Sequence, residues 1–363
     1  MSSIWGNAIR VSVFGESHGP GIGVVVDGFP SGIPLDLDRA AAFMRRRSPG
    51  RAPWSTARKE EDLPEILSGL YRGHTTGAPI AAMIRNTDTR PGDYAAMEIL
   101  PRPGHADYTG ALRFDGFNDP RGGGHFSGRL TAPLAFAGAV CLQWLEREGI
   151  RVFAHAARIG CVDDTPIDPV RPDESALAAI AGKRMPVLSD IAGEAMAAAV
   201  ENARMSLDSV GGVVEGLVLD VPAGLGDPLF LGMEARFASL LFSIPAVKGV
   251  EFGDGFAVAD AFGSTNNDRP SMMESRIRMR SNHAGGIDGG IANGMPILFR
   301  VAFKPTPSIA QRQETVDLTH LTDAEIAVAG RHDPCIVPRA VPVVEACTAL
   351  VMADTLKGAP RHG

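Results

Sequence analysis

The hydrophobic positions of the chain form short apolar runs that alternate with longer helical patterns. Runs rich in Val and Ile between turn residues predict β-strands, and Ala-rich stretches with apolar residues three and four apart predict α-helices. The predicted strands are residues 10–14, 22–26, 213–221, 255–261 and 296–303. The predicted helices are residues 38–47, 130–148, 190–204, 234–243 and 341–356. Strands and helices therefore alternate, with long, glycine-rich connections.

One short pattern occurs in both halves of the chain. A strand that ends in Asp is followed by Pro-x-Gly and an apolar residue, first over residues 24–33 and again over residues 218–225. The repeat favours a duplicated architecture, although chance can also produce so short a match. Neither a linker nor a low-complexity tract separates the two halves.

Length, composition and charge bound the class of protein. The 363 residues suffice for two domains or one large one, and 45% hydrophobic and 21% charged residues are typical of a globular chain. The net charge of −7 argues against nonspecific binding to nucleic acid or acidic membranes. We expect a soluble cytoplasmic protein, because the chain shows neither a signal peptide nor an apolar stretch long enough to span a membrane. Four cysteines without metal or redox spacing are expected to be reduced core thiols: Cys141, Cys161, Cys335 and Cys347.

The first polar motif, residues 15–19, fits the G-x-S-x-G pattern of serine hydrolases. In those enzymes the serine lies on a sharp turn between a strand and a helix. Here a second predicted strand follows the motif, so the pattern argues against a hydrolase. That alternative predicts that Ser17 reacts with a fluorophosphonate.

A basic segment follows the first predicted helix. Its cations are Arg45, Arg46, Arg47, Arg51, Arg58 and Lys59. Residues 40–59 contain no acidic side chain, so the segment creates a positive field suited to carboxylates or phosphate. A solvated helix end explains the arginines equally well, because cations are favoured at the C-terminus of a helix.

Several histidines lie in loops rich in glycine or proline, where functional residues concentrate. They are His18, His105, His125, His283 and His332. Their spacing matches no metal site, and the triple glycine at residues 122–124 fits neither the Rossmann nor the P-loop pattern. Histidines titrate near neutral pH and are suited to proton transfer or to binding an anion. The residues alone therefore predict an anion-binding enzyme with acid–base histidines and leave the reaction open.

Five segments, in this order, resemble the chorismate synthase family over nearly the whole chain. They are residues 14–19 (Phe-Gly-Glu-Ser-His-Gly), 102–107 (Arg-Pro-Gly-His-Ala-Asp), 246–251 (Ala-Val-Lys-Gly-Val-Glu), 281–286 (Ser-Asn-His-Ala-Gly-Gly) and 331–335 (Arg-His-Asp-Pro-Cys). The resemblance implies an α+β fold, a β-α-β sandwich with internal pseudo-symmetry, formed by one domain over residues 1–363. It also implies a homotetramer.

The same resemblance implies a carbon–oxygen lyase of the shikimate pathway, which leads to the aromatic amino acids. The expected reaction is a trans-1,4-elimination that converts 5-enolpyruvylshikimate 3-phosphate into chorismate and phosphate. It requires reduced FMN without net redox change, and NADPH is a candidate reductant for the flavin. A noncatalytic flavin- or anion-binding protein is the alternative.

The resemblance also implies roles for individual residues. The catalytic candidates are His18, His105 and Asp333. The candidates for binding substrate or NADP are Arg46, Arg47, Arg129 and Arg339. The candidates for binding FMN are His125, Phe126, Ser127, Pro245, Ala246, Gly289, Lys304, Pro305, Thr306, Pro307, Ser308 and Arg331.

The chain departs from the family pattern around the triple glycine and in the basic segment. Arg-Ser-Ser is usual where this chain has His125-Phe126-Ser127, so a cation and a hydroxyl are replaced. An asparagine is usual at Pro245, and an arginine that some members use with NADPH is replaced by Pro53. The flavin contacts at these positions cannot be carried over unchanged, and we expect Phe126 to pack on the flavin ring.

Overall fold

Antiparallel sheets and helices account for most of the structure. The computed structural model describes residues 3–50, 62–87, 97–273, 276–328 and 333–360. Its helices are α1 (Leu37–Arg47), α2 (Asp107–Arg113), α3 (Thr131–Arg147), α4 (Glu174–Ala179), α5 (Asp190–Met205), α6 (Met233–Leu241), α7 (Gly263–Asn266) and α8 (Val337–Gly358). Its strands are β1 (Ile4–Trp5), β2 (Arg10–Gly15), β3 (Gly21–Asp27), β4 (Glu65–Ser68), β5 (Leu70–Tyr71), β6 (His74–Thr75), β7 (Ile80–Arg85), β8 (Arg151–Ile159), β9 (Val162–Asp163), β10 (Gly212–Leu219), β11 (Val247–Phe252), β12 (Pro270–Met273), β13 (Arg276–Met279), β14 (Ile287–Asp288), β15 (Ile291–Ala292), β16 (Ile297–Phe303), β17 (Gln313–Asp317) and β18 (Thr322–Ile326).

The larger strands form two five-stranded sheets with helices between them. The first sheet has the order β1-β2-β3-β7-β4 and the second β11-β16-β10-β8-β9. Helices α3 and α8 pack against each other; α3 contacts β3 and β7 of the first sheet, and α8 contacts β8 and β10 of the second. This arrangement is the expected β-α-β sandwich. None of the described helices has the length and apolar character needed to cross a membrane.

The middle layer follows from the sequence of its two long helices. Helices α3 and α8 are apolar on nearly every side and almost completely buried. Such a helix must be covered on all sides, which a position between two sheets provides. Gly138 of α3 lies directly against Ala346 of α8, and a Cβ atom at Gly138 would be 2.3 Å from the Ala346 Cα atom. The absence of a side chain at Gly138 therefore sets how closely these helices approach.

The pattern that occurs in both halves occupies equivalent places in the two sheets. Its first copy includes β3 and its second includes β10, and each is the third strand of its sheet. The turns that follow contain Gly32 and Gly224, both with positive φ, at 77° and 92°. The structure thus supports the internal pseudo-symmetry that the resemblance implies.

The predicted elements agree with the structure except at residues 255–261. This segment was predicted as a strand, but Gly255–Asp260 is a 3-10 helix. Gly253 and Gly255 have positive φ and turn the chain, and the Glu251 carboxylate accepts a hydrogen bond from the Phe256 amide. The alternating apolar residues Phe256 and Val258 are exposed and cover no core. The expectation for Cys161 was also wrong, since it is exposed while the other three cysteines are buried.

His155 is buried on the outer face of the second sheet, between two carboxylates. Its Nδ1 atom lies 2.9 Å from Asp164 Oδ2 and its Nε2 atom 3.1 Å from Glu215 Oε2. Burial alone would lower the pKa of His155, but the hydrogen bonds to Asp164 and Glu215 outweigh it and raise that pKa. The geometry suits a doubly protonated ring that donates to both carboxylates.

We expect Gly138→Ala to lower the free energy of unfolding by about 2 kcal/mol. Overpacking against Ala346 costs about 3 kcal/mol, and the higher helix propensity of Ala offsets about 1 kcal/mol. Gly182→Ala is the control, because a Cβ atom there would meet open space. Urea unfolding of both variants measures the difference, and equal midpoints would contradict close packing at Gly138.

We expect His155→Gln to destabilise the protein by an amount that depends on pH, on the order of 1 kcal/mol. Because the folded-state pKa is raised, the stabilisation is fully present below the unfolded pKa of about 6.5 and is lost as pH rises through the folded value. Urea unfolding at several pH values on both sides of neutrality measures this loss. His320→Gln, at an exposed side chain, is the control. If the difference in unfolding free energy between the parent and His155→Gln grows with pH, the result contradicts a doubly protonated His155 ring.

Candidate active site

The triple glycine brings the two predicted catalytic histidines to one loop. Gly122, Gly123 and Gly124 all have positive φ, at 59°, 81° and 53°. A Cβ atom on Gly122 would lie 2.2 Å from the ring of His18, and one on Gly123 would lie 2.8 Å from Cε1 of His105. No side chain fits at either glycine while the histidines keep these positions. The two imidazole rings therefore lie against adjacent residues.

The loop that carries His18 connects β2 to β3, and several of its backbone atoms are held by hydrogen bonds. The Ser17 amide donates to the Gly124 carbonyl at 3.1 Å. Asn86 donates to the carbonyls of Glu16 and Gly19 at 3.0 and 2.8 Å. A strand follows this loop, not the helix that a serine-hydrolase elbow requires. The G-x-S-x-G pattern is therefore part of a hairpin that positions His18.

His105 belongs to a second loop, which is held by charged hydrogen bonds. Its Nδ1 atom lies 2.6 Å from Asp107 Oδ1, and Arg102 Nε donates to Asp107 Oδ2 at 2.7 Å. Arg102 Nη1 donates to Ser308 Oγ at 3.0 Å. Burial raises the pKa of Asp107, but the hydrogen bonds from Arg102 and His105 outweigh it and leave that pKa below its usual range. The carboxylate is therefore ionised at neutral pH.

Three of the predicted arginines meet around buried carboxylates. Asp62 is bound by Arg47 Nη1 at 2.5 Å and by Arg129 Nη1, and all three side chains are almost fully buried. Arg339 pairs with Asp333 and donates from Nε to the Arg47 carbonyl at 2.8 Å. We call these five residues the arginine cluster. They come from four separate parts of the chain.

The pKa values of the arginine cluster reflect its crowded charges. Burial raises the pKa of Asp62, but Arg47 and Arg129 outweigh it and lower that pKa to about 2. Burial lowers the pKa of Arg47 to about 10; Asp62 opposes this shift, and the charges of Arg339 and Arg129 add to it. An anion bound among these arginines would relieve their mutual repulsion.

Asn86 connects the arginine cluster to the histidines. Its Oδ1 atom accepts a hydrogen bond from Arg129 Nε at 3.1 Å, while its Nδ2 atom holds the loop that carries His18. Arg129 also lies on the segment between the triple glycine and α3. The cluster and the two histidine loops thus form one connected site.

The predicted flavin residues after the triple glycine have structural partners. His125 Nδ1 contacts the Gly15 carbonyl at 2.8 Å, and its Nε2 atom contacts Ser3 Oγ at 3.0 Å. Phe126 packs against α2, where a Cβ atom on Gly110 would lie 2.8 Å from its ring. Ser127 accepts a hydrogen bond from the Arg129 amide at 3.3 Å. These side chains fix the loop and its neighbours.

Residues 304–308 lie beside the His105 loop. Lys304 donates to the Gly104 carbonyl, and its own amide donates to the carbonyl of Ala246, which has a φ of 75°. Desolvation lowers the pKa of Lys304, and the charge of Lys248 lowers it further. Thr306 Oγ1 is buried and has no partner among the described residues. Two adjacent lysines and a buried hydroxyl without a partner suit the phosphate and polar edge of a flavin nucleotide.

Only some of the other predicted flavin residues lie near Lys304 and Thr306. Pro245 is half-buried in the connection between α6 and β11, and Pro305 and Pro307 flank Thr306. Gly289 is exposed on the β14–β15 hairpin, which is at the end of the second sheet where β16 begins. Lys304 follows the other end of β16. Because a strand of seven residues is about 20 Å long, Gly289 and Lys304 are separated by about the length of β16. Arg331 lies outside the described residues.

Arg46 lies apart from the arginine cluster. Its guanidinium forms two hydrogen bonds with Glu345 of α8, at 2.5 and 3.0 Å. Glu345 also accepts a hydrogen bond from the Ala154 amide at 3.2 Å. This ion pair joins α1, α8 and β8, and a role of Arg46 in binding substrate or NADP stays a prediction.

Sequence reasoning missed five residues of the site: Asp62, Asn86, Arg102, Asp107 and Lys248. Arg102, Asp107 and Lys248 lie within the family segments, so their positions there were an available signal. Asp62 follows the basic segment as one of three successive acidic residues, and nothing in that run distinguishes it. Asn86 carries no recognisable pattern.

Comparisons with known proteins agree with the fold and show the family. A family model described as chorismate synthase matches residues 9–356. A chorismate synthase of Korarchaeum cryptofilum is 47% identical, with 97% of this chain and 96% of the relative covered, and one of Aeropyrum pernix is 49% identical, with 97% and 92% covered. A crystal structure of chorismate synthase has a TM-score of 0.77 at 30% identity and covers 97% of this chain and 92% of its own. This chain therefore belongs to the chorismate synthase family.

Proposed function

We propose that this chain is a lyase that converts 5-enolpyruvylshikimate 3-phosphate into chorismate and phosphate, a late step of aromatic amino-acid biosynthesis. The observation that carries the proposal is the position of two imidazole rings against one glycine loop that is connected to the arginine cluster. The substrate has one phosphate and two carboxylates, so it needs several fixed cations. The elimination also needs groups that exchange protons.

The arginine cluster supplies the cations. Arg47 and Arg129 are held by Asp62 and cannot move away from the site without leaving a buried carboxylate unpaired. Arg339 is held by Asp333. Arginines fixed before the substrate arrives stabilise the charge that develops on the departing phosphate without reorganisation.

The histidines supply proton transfer. His18, at the tip of the β2–β3 connection, is assigned to protonation of the flavin or the leaving phosphate. His105, on the other side of the glycine loop, is assigned as the second acid–base group. Asp333 is assigned to assist removal of the substrate proton.

The residues present fit reduced FMN, which is the flavin assigned here. Lys304 and Lys248 would bind its phosphate, and Thr306 Oγ1 would gain the hydrogen-bond partner that it lacks among the described residues. When bound, reduced FMN supplies electron density transiently as the phosphate leaves. NADPH is the proposed source of the reducing electrons, directly or through another enzyme.

We also infer a cytoplasmic homotetramer, built from single-domain subunits, that binds neither nucleic acid nor membrane. Both sheets share one apolar core, which supports a single domain. Large exposed apolar side chains support contacts between copies, and they include Leu229, Phe230, Phe256, Phe262, Met272 and Ile277. Gly289 is remote from Lys304 within one chain. Gly289 would therefore contact a flavin that is bound in a neighbouring copy.

An anaerobic assay with 5-enolpyruvylshikimate 3-phosphate and chemically reduced FMN tests this function. Chorismate absorbance and released phosphate are followed together, and equal amounts of both are expected. Product formed with NADPH and oxidised FMN would show that the enzyme reduces its own flavin. FMN binding without any product would favour the noncatalytic alternative.

In the same assay we expect His18→Ala and His105→Ala to lower kcat by about 100-fold or more, because each removes a proton-transfer group. Asp333→Ala is expected to lower kcat and also to raise KM, because it releases Arg339. His320→Ala, at an exposed histidine, is the control. A folded His18→Ala or His105→Ala variant with parental kcat would remove that residue from the mechanism.

We expect Asp62→Asn to destabilise the protein at neutral pH by about 3 kcal/mol, because two buried arginines lose their shared carboxylate. Because the pKa of Asp62 is depressed in the folded state, its contribution to stability is fully present above the ordinary pKa of an aspartate. This contribution is lost as pH falls through the folded-state pKa of about 2. Inorganic phosphate should restore part of the stability by binding the arginines. Urea unfolding with and without phosphate measures both effects.

Asp27→Asn is the matched control, because its pair with Arg10 is exposed. That variant should unfold like the parent with or without phosphate. Phosphate that stabilises Asp62→Asn no more than the parent would show that the arginines do not form an anion site.

A further inference from the structure

His105 lies between a carboxylate and the glycine loop, and its two ring nitrogens have different surroundings. Nδ1 lies 2.6 Å from Asp107 Oδ1. A Cβ atom on Gly123 would be 2.8 Å from Cε1 and 3.1 Å from Nε2. Nε2 is therefore the ring nitrogen nearer the glycine loop.

Arg102 keeps the Asp107 carboxylate in place and ionised. Its Nε and backbone amide donate to Oδ2 at 2.7 and 3.0 Å, and its Nη2 donates to Oδ1 at 2.8 Å. Both side chains are about nine-tenths buried or more, at 4% and 10% exposure. Three charged or amide donors on a buried carboxylate favour its ionised form.

An ionised carboxylate can only accept hydrogen bonds, so the proton between Asp107 and His105 must be on Nδ1. Arg102 Nη2 lies 3.0 Å from Nδ1 and 3.3 Å from Nε2, and these similar distances do not select one nitrogen. The choice between the two tautomers of neutral His105 is therefore made by Asp107.

Packing around α2 keeps the Asp107 carboxylate next to the ring of His105. Asp107 is the first residue of α2, and Phe126 packs against this helix at Gly110. The rings of Phe126 and Phe114 are 6.2 Å apart, which places a second contact at the end of the helix. Ser308 holds Arg102 from the opposite side. The carboxylate thus has little freedom to leave Nδ1.

We propose that Asp107 is a positioning residue for His105, which holds a proton on Nδ1 and leaves Nε2 as the nitrogen that takes up and releases a proton at the glycine loop. In the neutral ring Nε2 carries the lone pair, and on protonation the added proton enters there. The same proton leaves from Nε2, so Asp107 stays ionised throughout. This assignment rests on the proposed role of His105 and names the atom that performs it.

Nitrogen-15 NMR of the histidine side chains tests the tautomer independently of activity. In the parent protein above the pKa of His105, we expect a proton on Nδ1 and none on Nε2. In Asp107→Asn the amide can donate or accept, so we expect a mixture or a shift toward the Nε2-protonated form. A parent ring protonated only on Nε2 would overturn the proposal, even if the variant fails to fold. An unchanged tautomer in a folded Asp107→Asn would also overturn it.

The elimination assay provides the second readout. We expect Asp107→Asn to lower kcat by about 100-fold or more and to change KM by less than about threefold, because Asp107 acts through His105 and does not touch substrate. The pH dependence of kcat should lose or shift the limb that reports His105. A variant with a raised KM and the parental kcat and pH profile would overturn the proposal.

Asp317→Asn is the matched control, because Asp317 forms a similar contact with His320, at 2.9 Å, on an exposed hairpin. It should leave kcat, KM and the His105 signals unchanged. The result also separates this inference from the function it rests on. If the tautomer shifts in Asp107→Asn while His105→Ala keeps full turnover, Asp107 still sets the tautomer, and the catalytic role of His105 is what fails.

Discussion

The buried carboxylate of Asp62 is the interaction on which the anion-binding part of the site depends. It pairs with Arg47 at the end of α1 and with Arg129 just before α3, and it accepts a hydrogen bond from Ser48. Buried charges are stable only when paired, so two arginines can lie inside the protein only because this carboxylate is between them. Through Asn86, the same contacts extend to the loop that carries His18. Electrostatic pairing therefore both assembles the site and orients its cations.

A steric constraint complements this electrostatic one. The β-α-β sandwich brings the β2–β3 loop, the His105 loop and the triple glycine to one place, but the two imidazoles fit there only because Gly122 and Gly123 have no side chains. The positive φ of both glycines lets the loop turn between the rings. The apolar middle layer of α3 and α8 supports this arrangement, since α3 follows the glycine loop and α8 carries Arg339 near its start. The packed core thus holds the glycine loop and the two histidine loops in fixed positions.

Much of the fold and part of the site could be predicted because the signals were local. Long apolar helices, Val-rich strands and turn glycines depend on neighbouring residues, so their positions were predicted well. Residues 255–261 failed because their apolar alternation is matched by no sheet partner and is interrupted by glycines with positive φ. His125 and Phe126 showed a departure from the family pattern, but their partners, Gly15, Ser3 and Gly110, could not be inferred from local sequence. Phe126 packs against α2, and the expectation that it also packs on the flavin ring stays a prediction.

The element types, the family and the residues suited to acid–base and anion chemistry could be inferred from the sequence, because they follow from side-chain type and short-range pattern. Which of those residues meet depends on the folded chain. It joined Arg47 and Arg129 around Asp62, paired Arg339 with Asp333 and directed the adjacent Arg46 to Glu345. It also placed Asp107 on Nδ1 of His105 and left Nε2 toward the glycine loop. Ion pairs and hydrogen bonds depend on separations of about 3 Å between atoms, and chain order does not specify these separations.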